Sequence, residues 1–296
     1  MHREGKLWVV VLAGGEGRRL RELARDSDGG AIPKQFSTLD GAESLLGLAR
    51  ARARRLTDPD RVITVVMERH RRWWEPELTP PETGETLVQP VPRGTGVAIL
   101  HALLEILRRD QAPLLAILPS DHAAQDEAAL DGAVERTVSA AQECPGDLVA
   151  LGMPADAADP QYGWLLPGAA VDGATRAVIS LEEKPTPVRA AYLLERGAVI
   201  NSFIVSATGE AMLALFRSVR PRLLRTYTAG RQASDWSAES VEHVFRRLPV
   251  VDFVLDVMAE SLSRVRVLAA PDCGWIDVGT PERLRRWRAR KQVQRA

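Results

Sequence analysis

Unbroken apolar runs alternate with amphipathic stretches through the first half of the chain. Residues 7–12 read Leu-Trp-Val-Val-Val-Leu, and 62–67, 114–118 and 148–152 are of the same kind. A short apolar run without polar alternation predicts a strand buried on both faces, as in a parallel sheet. Between these runs, 42–56, 96–108 and 127–142 carry apolar residues at helical spacing. Strand and helix in alternation predict right-handed βαβ units, hence an α/β fold with a mostly parallel sheet flanked by helices. The pattern changes over 154–183, which is rich in Pro, Gly and Asp and holds strand-like runs at 162–166 and 177–181. Helices are expected again at 188–196, 209–219, within 237–247 and at 281–290. There is no internal repeat and no low-complexity linker, so the 296 residues read as one domain.

The 39 basic and 39 acidic residues cancel. A neutral chain has no bulk field for nucleic acid or a membrane surface, so any anion binding must be local. No apolar run approaches the ~20 residues that span a bilayer. The polar N-terminus enters the first strand directly, which argues against a signal peptide. Cys144 and Cys273 lack metal-ligand spacing, and a cytoplasmic protein with reduced thiols is expected. Only four basic residues are lysines: Lys6, Lys34, Lys184 and Lys291. An ammonium is not equivalent to a guanidinium at a phosphate. Lys34 in PKQF and Lys184 in EEKP are therefore candidates for functional retention.

The first run leads into Gly14 and Gly15, which let a backbone turn sharply and approach a ligand. Gly17 clears more space, and Arg18 and Arg19 add fixed charge, so the loop is a candidate polyphosphate seat. It has neither the Gly-Lys-Ser/Thr end of a P-loop nor the dinucleotide glycine spacing. The alternative is a tight turn with surface arginines. The polar segment 23–32 that follows predicts a mobile flap. Asp121 ends a strand-like run, where parallel sheets bind ligands, and could hold a divalent cation against phosphates. Its alternative role is a helix cap. His122 is a base or a loop hydrogen-bonding residue. Asp277 is a second strand-end carboxylate, and the two form a metal seat only if the fold brings them together. In QPVPRGTG, Gln89 or Arg93 could bond a base while Gly94 and Thr95 approach its plane. In EEKP, Glu183 could accept from sugar hydroxyls and Lys184 bind a phosphate, or the pair is an exposed salt bridge. Asn201 and Ser202 add polar groups, and Tyr162-Gly163-Trp164 offers an aromatic face or plain strand packing. The basic run near the C-terminus reads as a solvated helix end.

LAGGEGRRL, PKQF, QPVPRGTG, LPSDH, YGW, EEKP, NSF and GWIDVG occur in the order used by sugar-1-phosphate nucleotidyltransferases. The chain resembles that family, and its mannose-1-phosphate guanylyltransferase branch in particular. The resemblance implies a Rossmann-like, GT-A-type fold, with a nucleotide-binding half at about 1–153 and a sugar-phosphate-binding half at about 154–296. It implies Mg²⁺ as cofactor and two small-molecule substrates, an NTP (GTP) and a sugar 1-phosphate (mannose 1-phosphate). The products are an NDP-sugar and pyrophosphate, with GDP-mannose serving polysaccharide synthesis. No nucleic-acid or membrane partner is implied, and a homodimer is one candidate assembly. By motif position, Leu12, Gly14, Gly15, Gly17, Arg18, Gln89, Arg93, Gly94 and Thr95 correspond to nucleotide contacts. Arg19, Lys34, Asp121 and Lys184 correspond to catalytic groups, and Asp121 and Asp277 to metal ligands. Gly163, Glu183, Lys184 and Asn201 correspond to the sugar-phosphate pocket.

Several positions depart from the family pattern. Arg18 stands for Thr, Glu22 for Pro, Arg93-Gly-Thr-Gly96 for Arg-Asn-Thr-Ala, and Phe203 for the Gly of Asn-Ser-Gly. These bear on base and sugar choice. Alternatives are the same reaction with glucose 1-phosphate and dTTP or UTP, or a non-catalytic nucleotide-sugar sensor. Retention of both carboxylates and both lysines favours catalysis. The chain ends soon after the Asp277 motif, so a single activity is expected.

Overall fold

The computed structural model describes residues 6–15, 32–38, 43–79, 84–280, 282–285, 287 and 289. The first apolar run becomes β1 (Leu7–Ala13), followed by α1 (Leu45–Leu56), β2 (Val62–Met67), α2 (Arg71–Leu78) and β3 (Glu85–Gln89). Next come α3 (Gly94–Leu107), β4 (Leu114–Pro119), β5 (His122–Ala123), α4 (Glu127–Glu143) and β6 (Leu148–Met153). Capping residues fix where the helices begin. The Ser44 hydroxyl accepts from Gly47 N at 2.9 Å to open α1. Asp126 accepts from Ala129 N at 2.9 Å to open α4. Capping of α4 thus falls to Asp126, and Asp121 is left for other work.

The second half supplies β7 (Gly163–Ala170), β8 (Thr175–Glu183), α5 (Pro187–Glu195), β9 (Val199–Thr208) and α6 (Gly209–Val219). After these come α7 (Pro221–Gln232), α8 (Ala238–Arg247), a π-turn at Val254–Met258, β10 (Val265–Ala269) and β11 (Ile276–Asp277). Residues 282–285 are helical, within the helix expected at 281–290. β7 and β8 are longer than the runs that predicted them.

Nine strands form one mixed sheet in the order β3-β2-β1-β4-β9-β6-β10-β8-β7. β3, β2, β1 and β4 pair in parallel. β9, from the second half, is inserted antiparallel between β4 and β6, so the sheet runs through both halves. β8 and β9 run against the other seven strands. On one face, α3 and α6–α8 pack around Val10, Ile99, Phe216, Tyr227 and Phe253. On the other, α1 and α4 pack around Val9, Val11, Leu46 and Val134. A separate two-stranded ribbon pairs β5 with β11 and sets Asp277 opposite His122.

Candidate functional site

β1 and β4 are parallel neighbours with Leu12 beside Pro119, so their C-terminal ends open into one crevice. Gln35 Nε2 donates to the carbonyls of Ala13 and Gly15, both at 2.9 Å, and fixes the glycine loop from behind. Ser120 Oγ donates to Leu12 O at 2.7 Å. Neither Gly14 nor Gly15 takes a left-handed φ, so the expected sharp turn is not their reason. Their contribution is clearance: a Cβ on Gly15 would meet nothing within 4 Å, so the backbone lies bare to a ligand. Gly17, Arg18 and Arg19 lie outside the described residues, as does 23–31 of the expected flap.

A cavity of about 440 Å³ fills this crevice, lined by Leu12, Gly14, Gly15, Lys34, Gln89, Gly94 and Thr95 over apolar Val65, Met67 and Ala98. Gln89 is 3% exposed, and its Nε2 has no partner within the protein. A buried donor without an acceptor is costly, which makes it a candidate ligand contact. Two departures from the family pattern trace to Val251. Gly94 has φ +83°, and a Cβ there would sit 2.2 Å from Val251 O; on Gly96 it would sit 2.6 Å from Val251 Cγ1. Val251 O accepts from Gly96 N at 2.9 Å, and the Thr95 hydroxyl accepts from Phe253 N at 2.9 Å. Arg93 lines the cavity, but its guanidinium donates to the carbonyls of Phe245 and Arg246, each at 2.7 Å. Its side chain ties the loop to the C-terminal end of α8 through Nε and one terminal nitrogen.

A second cavity of about 430 Å³ contains all four residues expected on the sugar side: Gly163, Glu183, Lys184 and Asn201. A Cβ on Gly163 would lie 2.0 Å from Glu183 Oε1, so the glycine makes room for that carboxylate. Burial pushes the Glu183 carboxyl above its ordinary range, against the fields of Lys184 and a hydrogen bond from Asn201. Lys184 takes φ +49°, and its N–H donates to Tyr162 O at 3.1 Å. Ser202 is not part of the cavity: it is fully buried, and its hydroxyl donates to Leu151 O at 2.6 Å. Trp164 is likewise core packing, with Nε1 donating to Asp159 O at 3.1 Å.

The two cavities meet at Lys34, Asp121, His122 and Phe203, which line both. Lys34 Nζ donates to Asp121 Oδ2 at 2.9 Å and to Asp277 Oδ1. β4 and the β5–β11 ribbon thus achieve the convergence of the two carboxylates. Burial alone would lower the Lys34 pKa, but the fields of Asp121 and Asp277 outweigh it and the ammonium is held charged. Burial would likewise raise Asp121, yet Lys34 keeps that carboxyl well below the usual range. His122 is buried, 3.4 Å from Asp121 Oδ1, with its ring edge on Trp275, and burial favours its neutral form. Asp121, His122 and Asp277 present ligand atoms all within 4.8 Å of one another.

Arg283 completes the cluster. It is 5% exposed and donates to Asp277 Oδ2 at 3.2 Å and to Asp159 Oδ2 at 2.8 Å. Its guanidinium also lies 3.6 Å from the Tyr162 ring centroid. The basic run was expected to be a solvated helix end, and at Arg283 this is corrected: tertiary partners bury the charge. A further cavity of about 690 Å³ lies beyond Tyr162 and Trp275. Among the described residues it is lined by Asp126, Asp156 and Asp272 and by no lysine or arginine.

The nucleotidyl transferase family profile matches residues 8–294. The chain belongs to the nucleotidyl transferase family. The xanthan biosynthesis protein XanB of Xanthomonas campestris pv. campestris (strain B100) is 32% identical over 278 residues, covering 92% of this chain and 57% of that protein. Mannose-1-phosphate guanylyltransferase of Escherichia coli is 28% identical over 285 residues, covering 93% and 58%. Among solved structures, mannose-1-phosphate geranyltransferase from Thermus thermophilus superposes with a TM-score of 0.78 at 29% identity, covering 93% of this chain and 76% of that one. This nucleotidyl transferase family member therefore spans a little over half the length of the curated relatives it matches. No helix among its described residues is long and apolar enough to cross a membrane.

Proposed function

We propose that the chain transfers a nucleotidyl group from an NTP to a sugar 1-phosphate, with GTP and mannose 1-phosphate as the pair. The supporting observation is the meeting of two cavities at Lys34, Asp121 and Asp277. One cavity offers bare backbone and a free amide donor to a nucleotide. The other offers Glu183, Lys184 and Asn201 to a phosphorylated sugar. A phosphate oxygen of the sugar 1-phosphate attacks the NTP α-phosphorus, the α–β bridging bond breaks, and pyrophosphate leaves. The nucleophile is already an anion, so no general base is needed and a neutral His122 is no obstacle. Catalysis is then positioning and charge neutralisation. Lys184 holds the incoming phosphate, and Arg19 and Lys34 take up charge on the departing pyrophosphate.

Asp121 and Asp277 already clasp a cation, the Lys34 ammonium, so their charge and spacing suit a divalent ion, with His122 adjacent. Mg²⁺ bound there would supply Lewis-acid neutralisation of phosphate charge. The free Gln89 amide donor complements a base carbonyl, which adenine lacks, and the names of the relatives support guanine and mannose. The two free cysteines fit a cytoplasmic setting.

The direct test presents purified protein and Mg²⁺ with GTP, ATP, UTP, dTTP and CTP, each with mannose 1-phosphate or glucose 1-phosphate, and weighs the products. GDP-mannose and pyrophosphate are expected. Another NDP-sugar would overturn the substrate pair, and no pyrophosphate with nucleotide bound would point to a sensor.

Glu183 gives a pH signature. Its raised pKa means that, as pH falls, it takes up a proton sooner than an ordinary glutamate at 4.5. The KM for sugar 1-phosphate is expected to rise on the acid side from a pH above 4.5. The Glu183→Gln variant should have a higher KM at neutral pH and lack that limb. The phosphate's own titration is common to both proteins, so a limb unchanged in the variant would remove Glu183 from the pocket.

A further inference from the structure

Phe203 is the only hydrocarbon side chain among the four residues that line both cavities. Its backbone is left-handed, with φ +62°, a region that favours glycine and is sparsely occupied by bulky residues. The family pattern has glycine here, which meets the backbone requirement without strain. This chain carries an aromatic ring against that preference, and the surroundings are built to hold it. The Phe203 N–H donates to Asn201 Oδ1 at 3.1 Å, and Asn201 in turn bonds Glu183. Ser202 Oγ accepts from Ile204 N at 3.1 Å on the other side. The ring stands edge-on to Phe253 at 6.2 Å between centroids, and Phe253 N bonds Thr95 of the nucleotide loop. The ring is thus fixed between the sugar-side carboxylate and the nucleotide-side loop.

Its place sets what it meets. Of the other three residues that line both cavities, Lys34 is the cation that suits a phosphate at the junction, and the Phe203 ring is the apolar surface left for the carbon skeleton next to it. In a sugar 1-phosphate the skeleton nearest the phosphate is C1, then the ring oxygen and C2. We propose that Phe203 is a specificity-determining residue that limits bulk at C2 of the sugar 1-phosphate, admitting 2-hydroxy sugars and rejecting 2-acetamido sugars. The proposal rests on the nucleotidyl-transfer reading above.

The test compares kcat/KM for the hexose 1-phosphate that the wild type uses with that for its 2-acetamido counterpart, with the same NTP. Wild type is expected to favour the 2-hydroxy sugar, and Phe203→Gly to reduce that preference by about tenfold or more, mainly through a lower KM for the acetamido substrate. Phe203→Leu keeps bulk and should keep the preference. Thermal denaturation checks folding, and if the glycine variant does not fold, Phe203→Ala takes its place. A ring that merely fills space would lower kcat/KM for both sugars alike, and an unchanged ratio in a folded, active variant overturns the proposal. Absence of pyrophosphate release by the wild type with every pair is a different result: it overturns the nucleotidyl-transfer reading, and the assignment of Phe203 with it.

Discussion

Asp121→Asn and Asp277→Asn are each expected to lower turnover by about a thousandfold or more, roughly 4 kcal/mol of barrier, in proteins that remain folded. The magnitude follows from what each carboxylate does. Each is one of two anions converging on the junction, and an amide there retains shape but no charge. The structural consequences differ between them. Asp277 is held by both Lys34 and Arg283, and in its amide variant Arg283 still has Asp159. The Asp121 side chain is 38% exposed, which moderates the cost of its loss. Lys34 keeps one carboxylate in either variant. Pyrophosphate release measured beside thermal denaturation separates the two effects. Near-normal turnover in either variant would remove that residue from the mechanism.

Lys34→Met is expected to act in two opposite directions. Turnover should fall by about a hundredfold or more, since a charge aimed at phosphate is lost. Divalent-cation affinity without nucleotide should rise, by about tenfold or more, because the ammonium now lies between the two carboxylates that would hold the ion. Titration with Mn²⁺, following the free ion by its EPR signal, reads this without any turnover. The variant should also gain more thermal stability from Mn²⁺ than the wild type does, since the two facing carboxylates lose the cation between them and only Asp277 keeps a cationic partner, Arg283. Acid stability gives a further check on sign. Lys34 holds the Asp121 pKa below its unfolded value, so the pair stabilises the fold above that unfolded value and the effect fades as pH falls through the folded one. The stability lost in Lys34→Met should therefore be largest at neutral pH and shrink as pH falls. Mn²⁺ affinity equal to that of the wild type would show that the lysine does not occupy the cation position.

Apolar periodicity identified β1, β2, β4 and β6 and the helices α1, α3 and α4 between them, because these strands are buried on both faces and carry few polar interruptions; α2 and β3 were not identified. β9 was hidden by Asn201, Ser202 and Ser206, whose polar groups are satisfied inside the sheet; Ser206 pairs with Thr137 at 2.8 Å. β10 was hidden by Arg266, which is neutralised by Asp147 and Asp172. The β5–β11 ribbon is too short to leave a pattern, yet it sets His122 against Asp277. Motif chemistry pointed to Lys34, Asp121, Glu183 and Asn201, but not to Lys34 as the bridge between carboxylates. Arg283 gave no signal within its basic run, because a guanidinium becomes buried only through tertiary partners. The departures at Gly94 and Gly96 make sense only beside Val251, and Arg93 only beside the end of α8.

The most direct test is a crystal structure with both a sugar 1-phosphate and an NTP analogue whose α–β bridge cannot be cleaved. The expected result places the base beside Gln89, the sugar beside Glu183 and Asn201, and a sugar-phosphate oxygen about 3–3.5 Å from the α-phosphorus at the Lys34–Asp121–Asp277 junction. A nucleotide bound instead in the acidic cavity beyond Trp275, or two ligands whose phosphates do not meet, would contradict the assignment of this junction as the place of reaction.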